Sequence, residues 1–280
     1  MSRSGRGARR SSGRSAASSP TGASLAHLPV GPVPTSLATA ELLQREDGIL
    51  LLLDGTESSY LDLRDPARLD FEYHQQMDAV AEVLLGRGTP VRALHLGGAG
   101  CALARAWDRT RPGSTQLAVE IDEALARYAR QWFDLPRSPR LRIRVGDAAQ
   151  VLPELRPGQW DVVVRDVFTR AAVPGSCRDE AFLTACLRAL RPGGIALINT
   201  VSPPRVELGA ELGLLRGIFG GLLIVADPPV ARGARPGNLV LVCRREPFTP
   251  EQRQELERAV RRLPLPVRTW SPQDRALPRG

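Results

Sequence analysis

Four acidic side chains in this 280-residue chain stand where hydrophobic segments end, the positions in a sheet at which chemistry is usually done. They are Glu120, Asp122, Asp147 and Asp166, and they follow a glycine turn at 97–100 that closes an earlier apolar segment. Turn glycines let the backbone approach a ligand, and a carboxylate after the next strand can accept hydrogen bonds from both ribose hydroxyls. The pattern predicts a site for an adenosine-type ligand.

The glycine turn and Glu120 carry the first part of this prediction. Backbone N–H groups at Gly97, Gly98 and Gly100 are expected to accommodate the polar tail of the ligand. The alternative is that this glycine cluster is an ordinary tight turn after a strand. Glu120 is the stronger candidate, because an isolated carboxylate at a strand end is best explained by the donors that it accepts, here the ribose diol.

Asp122 and Asp147 also have the sequence context of helix caps. Asp122 is expected to cap a helix over 122–132. Asp147 either caps the helix over 147–155 or accepts from an adenine amino group while the N–H of Ala148 donates to a ring nitrogen. We weigh these two roles for Asp147 equally, and they are compatible with each other.

Asp166 follows the apolar segment 160–165 and is the candidate catalytic residue. A carboxylate at this strand end would lie at the mouth of the pocket, near the reacting carbon of a bound sulfonium nucleoside. It could orient an attacking amine and take its proton. The alternative is that Asp166 only hydrogen-bonds the turn that follows it, and we favour the chemical role.

The elements that position these residues alternate between strands and helices. Strands are predicted at 91–96, 116–121, 141–145, 160–165, 194–201, 221–226 and 238–243, and helices at about 101–109, 122–132, 147–155, 179–190, 205–218 and 250–262. This alternation predicts an α/β fold with a Rossmann-like, seven-stranded, mostly parallel sheet and helices on both faces. The last two strands have no helix between them, so we expect an antiparallel pair at the sheet edge.

Four regions are predicted along the chain. Residues 1–38 are expected to form a disordered basic tail, read either as an arm for an acidic partner or as a dispensable start. Residues 39–85 contain a small β-hairpin unit with a D-G turn and a lead-in helix. The Rossmann-like domain covers 86–264, and an irregular C-terminal tail covers 265–280.

The formal charge of +8 has a partly local origin. Five arginines precede the first acidic residue, Glu41, and without them the charge of the chain is +3. All 38 basic residues are arginine, which is more typical of a GC-rich coding bias than of selection for phosphate contacts. Nucleic acid is therefore not the expected partner.

Cysteine and histidine usage argues against a metal site. Cys101, Cys177, Cys186 and Cys243 form no C-x-x-C pair, and the three histidines have no metal-ligand spacing. The cysteines do not resemble a disulfide framework either, so a reducing cytoplasm is the simplest location. No apolar run approaches the roughly 18 residues of a membrane span. We expect a soluble, cytoplasmic protein without a metal or a membrane partner.

The order of these acids, with the Arg-Pro-Gly-Gly-Ile segment at 191–195, resembles the class I S-adenosylmethionine-dependent transferases. A nicotinamide dehydrogenase would less readily explain the Gly-Asp-Ala and Pro-Gly-Gly segments. It would also normally have a third glycine where Leu103 stands.

The upstream half of the chain resembles more closely the spermidine synthase branch of that class. This family has an N-terminal hairpin with a Leu-Asp-Gly turn, then an acidic residue and a Tyr-His pair, and residues 53–55, Asp70, Tyr73 and His74 match these features. The resemblance covers roughly residues 48–245 and implies that Asp70, Tyr73 and His74 face the acceptor. Tyr73 and His74 could equally be packing residues of their helix.

The resemblance implies transfer of an aminopropyl group from decarboxylated S-adenosylmethionine to a small amine, as in polyamine biosynthesis. Glu120 and Asp147 would hold the nucleoside and Asp166 the nucleophile. Because relatives in this family often form dimers, it also implies a homodimer.

Departures from the family pattern leave the reaction open. The glycine loop of the family ends in Asp-Gly and its aspartate contacts the amine of the decarboxylated nucleoside, whereas Gly100 stands at that position here. After Asp166, the second acid and the proline of the family motif are replaced by Thr169 and Arg170, and Ser58 stands where a glutamine is expected. The alternatives are a methyltransferase that uses intact S-adenosylmethionine and a non-catalytic, nucleoside-binding relative.

Overall fold

The computed structural model describes residues 25–45, 47–169, 172–202, 205–274 and 277. Its strands are β1 (Val33–Pro34), β2 (Thr39–Gln44), β3 (Gly48–Leu53), β4 (Thr56–Asp62), β5 (Arg92–Leu96), β6 (Thr115–Glu120), β7 (Leu141–Val145), β8 (Trp160–Arg165), β9 (Leu190–Ser202), β10 (Gly221–Ala226), β11 (Gly237–Arg244) and β12 (Arg268–Trp270). Its helices are α1 (Glu72–Leu85), α2 (Ala102–Thr110), α3 (Glu123–Trp132), α4 (Ala148–Glu154), α5 (Glu180–Ala189), α6 (Arg205–Ile218), α7 (Pro228–Ala231) and α8 (Pro250–Val260).

The large sheet has the strand order β12-β10-β11-β9-β8-β5-β6-β7. The five strands from β9 to β7 run parallel, and β11 is antiparallel to both β9 and β10. The α/β, mostly parallel, Rossmann-like prediction is confirmed, as is the antiparallel pair. That pair is not at the edge, however, because β12 adds an eighth strand beyond β10 within residues expected to form an irregular tail.

The N-terminal unit is larger than the predicted hairpin. It is a four-stranded antiparallel sheet in the order β1-β2-β3-β4, and the predicted D-G turn joins β3 to β4 with Asp54 and Gly55 at positive φ. Residues 25–38 differ from the predicted disordered tail, since they contain a 3-10 turn at Leu25–His27 and strand β1. Composition alone does not predict the hydrogen bonds that tie residues 35–37 to Asp122. Residues 1–24 lie outside the described residues.

Apolar side chains fill both faces of the large sheet because neighbouring residues in a strand point to opposite sides. In the central strand β8, Val162 and Val164 pack with α1 and α8, whereas Val163 packs with α4, α5 and α6. A third cluster joins Leu51 and Leu61 of the small sheet to Leu125 of α3. The small sheet is therefore fixed against the end of the large sheet where ligand residues were predicted.

Among the described residues, no helix combines the length and hydropathy needed to cross a lipid bilayer.

Candidate functional site

A cleft of about 1280 Å³ opens at the carboxyl ends of β5, β6, β7 and β8. Ligands bind at this end of open α/β sheets because the loops there diverge. The small sheet and the start of α1 supply the opposite wall. The predicted site residues found in the lining are Asp70, Tyr73, His74, Gly97, Gly98, Glu120, Asp147, Ala148 and Asp166.

Glu120 holds the glycine turn in place. Its Oε2 accepts from the backbone N–H of Gly98 at 3.0 Å and of Ala99 at 2.8 Å, and its Oε1 accepts from the N–H of Asp122 at 3.0 Å. A carboxylate has about four acceptor positions. Three are therefore used within the protein, and the remaining capacity lies on Oε1. Glu120 therefore orders the turn and keeps room for one further hydrogen bond.

Gly100, which was predicted to contact the ligand, is not among the described residues that line the cleft. Its N–H donates to Ser59 Oγ at 3.0 Å. A Cβ at this position would lie 2.8 Å from both Ser59 Cβ and Leu61 Cδ1. Strand β4 thus occupies the space that the aspartate of the family would need, and Gly100 is part of the contact between the two sheets. The sequence shows that Gly100 replaces an acidic residue of the family, but it does not show that β4 fills the space of that side chain.

Gly97 allows the closest approach between two loops of the site. Its φ is +87°, and a Cβ there would lie 2.2 Å from the carbonyl oxygen of Asp166. The N–H of Asp166 also donates to the carbonyl of Leu96 at 2.8 Å. A side chain at residue 97 would push the two strand ends apart, so glycine sets the distance between them.

Asp122 caps α3 as expected, since its side chain accepts from the N–H of Leu125 at 2.8 Å. It also fastens the segment Thr35–Ala38, which we call the strap. Thr35 Oγ1 and the N–H groups of Ser36 and Leu37 donate to the Asp122 carboxylate at 2.5, 2.9 and 2.9 Å. Burial tends to raise the pKa of Asp122, but these hydrogen bonds hold it below its ordinary value.

Asp147 is the N-cap of α4 and accepts from the N–H of Ala149 at 2.8 Å. Asp147 and Ala148 also line the cleft beside Gly146. A single bond to the backbone leaves acceptor capacity on the carboxylate. The capping role is therefore present, and the position is compatible with the second, ligand-binding role.

Asp166 receives side-chain contacts from three directions. Tyr73 Oη donates to its Oδ2 and Asn199 Nδ2 donates to its Oδ1, each at 2.9 Å, and His74 Nε2 lies 3.4 Å from Oδ2. Burial tends to raise the pKa of Asp166, but the contacts with His74, Asn199 and Tyr73 hold it below its ordinary value. Asp166 is thus ionised at neutral pH. Burial and the neighbouring Asp166 charge raise the pKa of Tyr73 well above its ordinary value.

Two further groups behind Asp166 were not recognised in the sequence. Asn199 is a polar residue in the fifth parallel strand, so the strand-end rule could have identified it. Arg165 is fully buried and pairs with Glu211, while its guanidinium also donates to the carbonyls of Cys177 at 3.0 Å and Asn199 at 2.8 Å. Arg165 therefore fixes the backbone of Asn199, whose side chain holds Asp166. Nothing in the sequence indicates that partner.

His95 lies in the lining of the cleft and is buried. Its Nε2 is 3.0 Å from Gln116 Oε1, and its ring lies 5.5 Å from the Trp107 ring. Burial lowers the pKa of His95 to about 4. The imidazole is therefore neutral at physiological pH and donates to Gln116.

The other positions compared with the family pattern are Ser58, Asp70, Thr169 and Arg170. Thr169 and Ser58 line the cleft, but Ser58 Oγ donates to the carbonyl of Thr56 at 3.0 Å within its own hairpin. Asp70 lines the cleft, and its Oδ1 lies 3.9 Å from Arg68 Nη2. Arg170 lies outside the described residues.

The charge of the cleft is opposite to that of the chain. Among the described lining residues, nine are carboxylates and one is an arginine, Arg235. The carboxylates are Asp54, Glu57, Asp70, Glu72, Glu120, Asp122, Asp147, Asp166 and Asp227. Arg235 is itself paired with Asp227 at 2.8 Å. Within the described ranges, no cluster of three histidine, cysteine or acidic residues could hold a metal ion.

The glycine turn after β5, the acid ending β6 and the acid after β7 define a class I S-adenosylmethionine-dependent methyltransferase fold. A family model described as a methyltransferase domain matches residues 94–198. The structure is similar to that of a protein described as a probable spermidine synthase from Corynebacterium glutamicum, with 31% identity, a TM-score of 0.79, and coverage of 86% of this chain and 90% of that one. The chain belongs to the spermidine synthase-like family of transferases within this class.

Curated relatives include both kinds of transferase. A polyamine aminopropyltransferase from Thioalkalivibrio sulfidiphilus is 28% identical over 160 residues, which are 56% of this chain and 54% of that protein. A human eEF1A lysine and N-terminal methyltransferase is 27% identical over 226 residues, 74% of this chain and 31% of that protein. The chain thus matches about half the length of the first relative and a third of the second.

Proposed function

We propose that this protein transfers an aminopropyl group from decarboxylated S-adenosylmethionine to a small amine. The observation that carries the proposal is the excess of carboxylates among the described residues of the cleft, nine against one arginine, with Glu57 and Asp227 each paired with an arginine. The sulfonium nucleoside and the protonated amine are both cations, and carboxylates offset the cost of taking cations out of water. The family relationship adds the reaction type.

Glu120 accepts from the ribose, and Asp147 with Ala148 N–H recognises the adenine edge. Asp166 lies with Tyr73 and His74 on the acceptor side, where its ionised carboxylate holds the attacking amine. The amine nitrogen forms a bond to the carbon next to sulfur, and the carbon–sulfur bond breaks, leaving its electron pair on methylthioadenosine. The ammonium form of the acceptor loses one proton to water before attack, since only the neutral amine has a free lone pair. Positive charge then moves from sulfur to nitrogen and stays near Asp166.

Methyl transfer from intact S-adenosylmethionine is the second candidate. Gly100 supports it, because β4 fills the place of the aspartate that would disfavour the carboxylate of the intact nucleoside. The relationship to the human methyltransferase is consistent with it. Both candidates share the nucleoside half of the cleft and differ at the sulfonium end.

Calorimetric titration separates these candidates. Decarboxylated S-adenosylmethionine, the intact form and methylthioadenosine are titrated separately into the full chain at neutral pH. We expect the decarboxylated form to bind at least about tenfold more tightly than the intact form, since a carboxylate entering an acidic cleft costs more than 1 kcal/mol.

Preference for the intact form would replace the proposal with methyl transfer. Absence of binding by all three would contradict both transfer reactions. Glu120→Gln provides a control of similar size, with an expected affinity loss of about tenfold for every nucleoside that binds.

A further inference from the structure

The strap lies beside the nucleoside half of the cleft. Leu37 and Ala38 line the cleft wall. The Leu37 N–H donates to Asp122 at 2.9 Å, and the Asp122 N–H donates to Glu120 Oε1 at 3.0 Å. Asp122 connects the strap to Glu120, so Leu37 lies at the same end of the cleft as the residue proposed to hold the ribose.

The two carboxylate oxygens of Asp122 accept hydrogen bonds from different donors. Oδ1 accepts from the N–H of Ser36 at 2.9 Å and from the N–H of Leu125, which begins α3, at 2.8 Å. Oδ2 accepts from Thr35 Oγ1 at 2.5 Å and from the N–H of Leu37 at 2.9 Å. The cap of the helix depends on Oδ1, whereas two of the hydrogen bonds that hold the strap depend on Oδ2. Ser36 Oγ also accepts from the N–H of Ala124 at 3.1 Å.

Two exposed apolar side chains flank this point. Leu37 is 64% exposed and Ile121 is 52% exposed, although both line the cleft. Large apolar side chains left in water on a concave surface are typical of ligand-binding surfaces. Leu37 comes from the strap and Ile121 directly follows β6, so both offer aliphatic surface to an aromatic group bound in this part of the cleft.

We propose that the strap is part of the nucleoside-binding surface: Leu37 covers the base of the bound nucleoside, and Asp122 is the positioning residue that holds Leu37 there. This inference rests on the proposed function, because it needs a nucleoside in the cleft. It adds a binding element from residues 35–38, upstream of the motifs that carry the sequence resemblance. The strap closes one side of the cleft without any contact to the reacting atoms.

Asp122→Asn tests the positioning role, because asparagine still caps a helix but places an N–H₂ group where one oxygen was. We expect faster hydrogen exchange at the Leu37 amide, about tenfold weaker binding of methylthioadenosine in calorimetry, and a modest decrease in the unfolding midpoint from the two lost hydrogen bonds of the strap. Asp179→Asn is the matched control, since Asp179 caps α5 by accepting from Phe182 N–H and does not line the cleft.

Leu37→Ala tests the contact itself without altering Asp122. We expect about fivefold weaker binding of methylthioadenosine, because part of one leucine side chain no longer covers the ligand. Equal affinity of wild type and Leu37→Ala, or unchanged exchange at Leu37 in Asp122→Asn, would overturn the inference while the proposed function stands. If the wild type binds no nucleoside, the proposed function fails and this inference fails with it.

Discussion

Among the single residues of the site, Asp166 is a carboxylate that its neighbours keep ionised and hold in one orientation. Tyr73, Asn199 and His74 surround its carboxylate, so its pKa stays below the ordinary value although burial acts in the opposite direction. A carboxylate already held by donors does not reorient when a cation arrives, which lowers the cost of binding and of charge transfer. Asp166 is therefore better suited to holding an ammonium group than to removing its proton at neutral pH.

Asp166→Asn should lower the rate of methylthioadenosine release by about 100-fold or more, the usual range for loss of such a group. Nucleoside affinity should stay within about threefold, since Glu120 and Asp147 are unchanged. Tyr73→Phe keeps the carboxylate and removes one donor, so its rate should lie between those of the wild type and Asp166→Asn. Stopped assays of methylthioadenosine measure all three, and full activity in Asp166→Asn would remove Asp166 from the chemistry.

Strand-end carboxylates could be identified from sequence because their positions depend only on where a strand stops. The pairing of Asp166 with Asn199 and Tyr73 could not be predicted, because these residues reach it from elements 33 and 93 residues away. The same limit explains Gly100, whose neighbour Ser59 lies 41 residues upstream in the small sheet. Pairings across elements depend on packing that a linear pattern does not contain.

At the scale of elements, the turn after β5 is defined by how closely it approaches the end of β8. Gly97 combines a positive φ of +87° with a backbone oxygen 2.2 Å from where a Cβ would stand. The positive φ comes from the turn itself and would strain any side chain. The close oxygen belongs to the neighbouring loop and would clash with a Cβ.

Gly97→Ala should reduce the free energy of unfolding by about 2 to 4 kcal/mol, through backbone strain and displacement of the loop at Asp166. Gly193→Ala is the matched control, with φ of +78° and no atom within 4 Å of the added Cβ, so only about 1 kcal/mol is expected. Urea titrations of both variants give the comparison. Equal losses would mean that the close approach at Gly97 relaxes without cost.

Long, periodic elements were predictable, whereas short ones that depend on neighbours were not. The seven predicted strands of the large sheet are present. Six of them have mainly buried apolar segments, whereas the edge strand β7 alternates apolar residues with Arg142 and Arg144. Strand β12 has three residues in a stretch rich in proline and arginine, and only its pairing with β10 makes it a strand. The strap follows a segment rich in serine and glycine, and its order comes from Asp122.

At the scale of the whole molecule, burial of a histidine beneath the cleft makes stability depend on pH. The pKa of His95 is lowered to about 4 in the folded state, whereas an unfolded histidine titrates near 6.5. Between these values the unfolded chain binds one more proton than the folded chain. The stabilising effect is therefore complete above about pH 6.5 and is lost as the pH falls towards 4.

We expect the free energy of unfolding to decrease by roughly 3 kcal/mol between pH 7 and pH 4 on account of this residue. Urea titrations at half-unit intervals measure the decrease. His95→Gln, which retains a side-chain donor towards Gln116, should show a smaller dependence on pH over the same interval. An identical slope in the two proteins would assign the dependence to other groups.

The contrast between a chain of charge +8 and a cleft lined by nine carboxylates has a kinetic consequence. Beyond the Debye length, about 8 Å at physiological salt, a small cation is not steered towards this protein, so its encounter rate stays ordinary. The carboxylates attract a cationic ligand only once it is inside the mouth of the cleft, so they slow its dissociation. Ionic strength should therefore act mainly on how long a cationic ligand remains bound, with little effect on how fast it arrives.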